Sequence, residues 1–171
     1  MSISIIESGM TFGRFAPSDV FEFEKIINTM KLGQHVCKVE FIVRDVSGNA
    51  AIVFVEAKSS IPRESDSFFA DIRLKMIHAL TIWFTAVCGR HAQLMNLIPH
   101  NLDKFEHLRL PIKMYLVIPN VPDQYLQPLS DKFRQFLTVD QKIWAIGHSD
   151  IQVLNEPRAK KYGLIGRNSN E

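Results

Sequence analysis

The chain predicts an α/β domain in which a central mixed β-sheet is flanked by helices. Three stretches carry that expectation. Two β-rich runs, "VCKVEFIVRD" and "AAIVFVEAK", flank the turn-forming "VSGN" and read as a hairpin. A helical pattern then runs from about Asp66 to Cys88, with Phe69, Ile72, Met76, Leu80, Trp83, Phe84 and Val87 at helical spacing. "IKMYLVIP" reads as a buried strand. Strands and helices mixed in this way put helices against a sheet.

The remaining elements follow in chain order. "SISII" and "MTFGRF" read as short strands. Ser18 is placed to cap a helix from Asp19 to about Leu32, with Gly33 as its stop. Phe23, Ile26, Ile27 and Met30 give that helix an apolar face. The hairpin strands lie near 36–45 and 51–58, and "SSIPRES" is a loop. Past the long helix, Pro99 and Asn101 punctuate the chain. "PDQYLQPLSDKFRQFL" is helical, with a break expected near Pro128. "KIWAIG" and "DIQVL" read as two short strands, and "EPRAKKYG" as a last helical turn or two. There is no repeat and no low-complexity linker, so 171 residues read as a single domain.

Composition narrows the function classes. Hydrophobic residues make up 46% and charged residues 22%, an ordinary globular balance. A net charge of +2 gives no bulk attraction to nucleic acid, so any basic surface has to be local. Cys37 and Cys88 lack metal spacing and read as buried free thiols. The start "MSISIIESGM" lacks the basic region of a signal peptide, and the apolar run Ala79–Cys88 is too short to span a bilayer. The expectation is a cytoplasmic protein without a membrane partner. No glycine-rich phosphate loop is present, which argues against nucleotide hydrolysis.

The hairpin carries the chemistry. If "SGN" forms a three-residue loop, Val46 pairs with Ala50, and Glu40 falls opposite Glu56. One face then holds Val39, Phe41, Val43, Ala51, Val53, Val55 and Ala57. The other holds Lys38, Glu40, Ile42, Arg44, Ile52, Phe54, Glu56 and Lys58. A one-residue slip pushes a carboxylate onto the apolar face, so the hydrophobic pattern favours this register. Glu40, Glu56 and Lys58 are thereby expected to project together from the open end. Opposed carboxylates repel unless positive charge lies between them. Lys58 supplies part of it, and a divalent cation supplies more. A metal that polarises phosphate, with a lysine to orient water, is what phosphodiester hydrolysis requires. A Glu/Lys ladder on a half-exposed sheet is the other reading of the same residues.

Glu-x-Lys alone is uninformative, since roughly half a copy is expected by chance in such a chain. Asp140-Gln141-Lys142 nearly repeats it, but without a paired strand bearing a second acid. Taken whole, "CKVEFIVRDVSGNAAIVFVEAKSS" after the helix "DVFEFEKIINTM" resembles the PD-(D/E)XK nuclease superfamily, over about Glu22 to Pro119. Members share a helix, a sheet hairpin, a second helix and a further strand, with an acid and a (D/E)-x-K on adjacent strands. The resemblance implies a restriction-endonuclease-like fold, with Glu56 as metal ligand, Lys58 as catalytic lysine and Glu40 as the first acidic ligand. A glutamate on the first helix often lies near the metals in this family, and Glu24 is the better candidate, Glu22 the lesser. The first acid is usually an aspartate, often after proline; here it is Glu40 after Val39. Asp45 lies roughly 16 Å of strand from Glu56, too far to share an ion.

The implied function is Mg²⁺- or Mn²⁺-dependent hydrolysis of nucleic acid, with DNA as the expected substrate, in phage defence, restriction or repair. With no recognisable recognition domain, the expectation is nonspecific action, a homodimer, or work with partner proteins. The alternative is a non-catalytic binding or assembly subunit, or a ligand-gated effector of a multi-protein system. Other polar residues have plainer readings. His78 in the long helix reads as packing or partner contact, and the other histidines show no zinc spacing. Arg63, Arg73 and Lys75 read as solvated surface, with neutralisation of a nucleic-acid backbone as the alternative. Ser59 and Ser60 read as loop hydrogen-bonders, or as phosphate contacts. Trp83 and Phe84 read as helix core.

Overall fold

The computed structural model describes residues 1–30, 32, 35–45 and 50–166. The expected "VSGN" turn, the Val46–Ala50 pairing and the Gly33 stop fall outside these residues.

The chain opens on a two-stranded hairpin, β1 (Ile3–Glu7) and β2 (Met10–Phe15). Ser8 and Gly9 link them with φ of 51° and 79°, the paired positive φ of a type I′ turn. β3 (Val20–Phe21) follows, then α1 (Phe23–Thr29), β4 (Phe41–Asp45) and β5 (Ala51–Ala57). The long helix α2 (Ser65–Val87) and the short α3 (Ala92–Met95) precede β6 (Ile112–Val117). α4 (Asp123–Phe136), α5 (Thr138–Ile143), β7 (Ile151–Leu154) and α6 (Glu156–Lys161) complete the chain.

The main sheet is mixed, with strand order β3-β4-β5-β6-β7. β3, β4 and β5 run antiparallel; β5, β6 and β7 run parallel. The β4/β5 register is the expected one, with Phe41 opposite Val55, Val43 opposite Val53 and Asp45 opposite Ala51. β5 is buried along its whole length, because both faces of the sheet are covered. On one face Ile42, Ile52, Phe54, Met114 and Leu116 pack with α1, α2 and α4 residues. Phe54 meets Trp83 edge-on at 6.0 Å, and Trp83 Nε1 donates to the Leu102 carbonyl. On the other face Phe41, Val43, Val53, Val55 and Val117 pack with the β1–β2 hairpin and Ala159 of α6.

Several sequence expectations are corrected. The first helix begins at Phe23, not Asp19, because Val20 and Phe21 pair with Val43 and Ile42 as an edge strand. Ser18 therefore caps nothing; the N-cap is Glu22, without a side-chain bond. Ladder pairing in the first hairpin strand starts at Phe41, not near 36. The Cys37 amide instead donates to His78 Nδ1 at 3.1 Å, which gives that histidine a packing role. Val39, outside the ladder, joins the helix-side core rather than the Phe41/Val43 face. Pro128 does not break α4; the helix runs through it, anchored by buried Leu126 and Phe133. "KIWAIG" is not a strand. It is the end of α5 and a turn in which Ala145 takes φ of 52°. Cys88 is exposed and Cys37 half-buried. Phe84 is partly exposed and meets Trp144, while Trp83 is core as expected.

Candidate functional site

β5 and β6 end side by side, and the Lys58 amide still donates to the Val117 carbonyl at 3.0 Å. This extension of the parallel ladder fixes the direction of the Glu56-x-Lys58 pair. Alternation along β5 turns both side chains toward α2, the face that Ile52 and Phe54 also take.

Glu56 is completely buried. Its Oε1 accepts from Lys58 Nζ at 2.7 Å and from Lys75 Nζ at 2.6 Å. The Lys58 and Lys75 side chains are 33% and 23% exposed, so the cluster opens to solvent on the lysine side. Oε2 of Glu56 is buried without a hydrogen-bond partner among the described residues. Burial pushes the Glu56 carboxyl up, and Lys75 and Lys58 pull it back only in part. Burial lowers Lys75, but the charge and hydrogen bond of Glu56 outweigh this, so the ammonium is held more tightly than usual. Two ammonium groups donate to one oxygen of Glu56, charge-assisted contacts that favour its ionised form against the burial.

Glu40 sits in the bend just before β4, 9% exposed, its amide donating to the Val55 carbonyl. Its carboxyl is pushed up to about 8, first by burial, then by the Glu56 charge, a hydrogen bond with Glu24 and the nearby Glu7. Glu24 lies in the first turn of α1, where its amide faces the Glu40 carbonyl at 3.4 Å. The fold thus gathers all four expected residues, Glu24, Glu40, Glu56 and Lys58. The lesser candidate, Glu22, turns aside to pair with Lys25. Asp45 stands at the other end of the hairpin, paired with Lys113 at 3.2 Å.

Lys75 overturns its expected place on solvated surface. The signal was legible: Ile72, Lys75 and Ala79 share the buried stripe of α2 at i, i+3, i+7. Arg73 is also no solvated charge, since it binds both oxygens of the buried Asp140 at 2.6 and 3.0 Å. The Asp140-Gln141-Lys142 sequence lies on α5, and its acid anchors that helix to Arg73 of α2.

The donor set offers carboxylate oxygens to a small divalent cation, although two ammonium groups already sit on Glu56. Glu40, its carboxyl raised to about 8, lies near Glu56 and bonds Glu24, and Oε2 of Glu56 has no partner among the described residues. As the side chains stand, no three acid, histidine or cysteine groups converge on one point among the described residues. Mg²⁺ commonly takes only one or two carboxylates, with waters and phosphate oxygens filling its shell. Glu40 and the Oε2 of Glu56 would be the donors to such an ion, with Glu24 behind Glu40.

No family model, curated protein or solved structure matches the chain. Among the described residues no helix is long and apolar enough to cross a membrane.

Proposed function

We propose that the chain is a metal-dependent nuclease of the PD-(D/E)XK type, with a restriction-endonuclease-like core and DNA as substrate. The order α1, β4, β5, α2, β6 supports this reading. So does the single observation that carries it: Glu40 and Glu56 lie together beside Lys58 at the open end of the hairpin, and Oε2 of Glu56 has no hydrogen-bond partner among the described residues. Glu40 and Glu56 would hold Mg²⁺ or Mn²⁺, which supplies phosphate polarisation and a more acidic water when bound. Lys58, held by Glu56 at 2.7 Å and one-third exposed, donates to a phosphate oxygen or to the attacking water. Lys75 fixes the Glu56 carboxylate from α2 and adds positive charge where the phosphate approaches.

Incubation of plasmid and single-stranded DNA with Mg²⁺ or Mn²⁺ tests the reading. Cleavage by the wild type, abolished in Lys58→Ala and Glu56→Gln, is expected. Intact DNA and RNA after incubation of folded wild-type protein with either metal would remove the nuclease assignment. The complete burial of Glu56 under two lysines favours one competitor, a nuclease-fold subunit that keeps the ion cluster for structure alone. In that case Lys58→Ala alters stability and there is no cleavage to lose.

A further inference from the structure

A second feature adjoins Lys58. The chain turns away from β5 through Ser59 and Ser60, and these residues form one wall of a cavity of about 400 Å³. Ile118 and Val121 beyond β6, and Tyr125 and Leu129 of α4, are among the residues that complete it. In open α/β sheets, the crevice outside the carboxyl ends of the parallel strands is where ligands bind. This cavity lies at the ends of β5 and β6, within the size range of small-ligand sites. Its lining is mostly apolar, with Ser59, Ser60 and Asn120 as its polar members. Tyr125 is 53% exposed, an aromatic ring left uncovered on a helix whose other large side chains are mainly buried.

Resting on the reading of Glu40, Glu56 and Lys58 as a phosphodiester-cleaving site, we infer that this cavity receives an unpaired nucleobase beside the scissile phosphate. The preferred substrate is therefore single-stranded or frayed nucleic acid. Three features fit one occupant. Ser59, the residue after Lys58, lines the cavity, which puts an occupant one residue along the chain from the lysine that would hold its phosphate. Its apolar walls and its aromatic ring suit the flat face of a base, and its few polar lining residues suit a base edge. A base still paired in a duplex cannot present its face to Tyr125; it has to leave the stack first. Among the described residues no cation lines the cavity, so the phosphate is assigned to Lys58 and Lys75 on Glu56.

The test follows cleavage of a fluorescent single strand and of a blunt duplex of the same sequence, with Mg²⁺ or Mn²⁺. One abasic position is walked along the single strand. The proposal expects faster cleavage of the single strand and a loss of about tenfold at the phosphate beside the abasic position. Tyr125→Ala reproduces that loss on intact single strands, and Tyr125→Phe, which keeps the stacking face, restores the rate. Duplex cleaved as readily as single strand, with abasic positions and Tyr125→Ala both neutral, overturns the inference. If Lys58→Ala abolishes cleavage in that same assay, the nuclease reading survives and only the cavity's role is lost. If the wild type cleaves neither substrate, both fall together.

Discussion

The Lys75 ammonium donates to Oε1 of Glu56 at 2.6 Å, joining α2 to the penultimate residue of β5. The acid is wholly buried, so its charge depends on its partners rather than on water. Lys75→Met leaves Glu56 with Lys58 alone. The expected cost is about 1–3 kcal/mol, because part of a buried charge becomes uncompensated. A lowered urea midpoint with an unchanged slope checks this. An unchanged midpoint would mean that Lys58 alone satisfies the acid.

Stability in metal-free buffer falls as pH rises from about 5 to about 8. Glu40 binds its proton up to about pH 8 in the folded protein, but only to the ordinary carboxyl range when unfolded. Between those values the folded state holds more protons, so the unfolding free energy decreases with pH, by of order 1 kcal/mol per unit for one proton. Above about 8 both states are ionised at Glu40 and its contribution levels off. Glu56, raised in the same direction, adds to the slope. Thermal melts across this range, in the presence of a chelator, check the sign; a rise in Tm towards pH 8 contradicts it.

Glu40→Gln separates function from stability. It removes a carboxylate that the fold ionises reluctantly, while keeping a polar group for Glu24. Tm should rise at about pH 9, where the wild type carries the charge, and change little at about pH 5, where it does not. Cleavage should be lost at both. A residue that the fold tolerates at a cost and that the reaction requires is what a functional site looks like. Loss of Tm at both pH values would instead make Glu40 a structural group.

Arg73→Ala tests the assignment of Asp140 as a packing anchor. The guanidinium is about a third exposed, so the loss is about 1 kcal/mol, moderated by solvent. Cleavage should be unaffected, because Asp140 lies on α5 and not at the end of β5. A drop in cleavage with unchanged Tm would draw the second Asp-x-Lys pattern into the site.

The legible part of the structure is the part written in local pattern. The β4/β5 register followed from alternation alone, since a slip at Val53 or Val55 would have buried an acid on an apolar face. α2 followed from the spacing of Phe69, Ile72, Met76 and Leu80. What escaped depends on partners distant in sequence. Val20 and Phe21 look like the start of a helix until β4 is beside them. "KIWAIG" has strand composition, yet Asp140 is drawn into α5 by Arg73, sixty-seven positions earlier. The gathering of Glu24, Glu40, Glu56 and Lys58 was readable from the hairpin and the family resemblance. Their burial was not, because it depends on α2 closing over that face and bringing Lys75 with it.

The most direct measurement is anomalous scattering from crystals soaked in Mn²⁺ at about pH 8, where Glu40 readily gives up its proton. The account predicts a peak within coordination distance of Glu40 and the Oε2 of Glu56, lost in Glu56→Gln crystals. Soaked crystals with no peak there, and with both lysines still closed on Oε1, would contradict it.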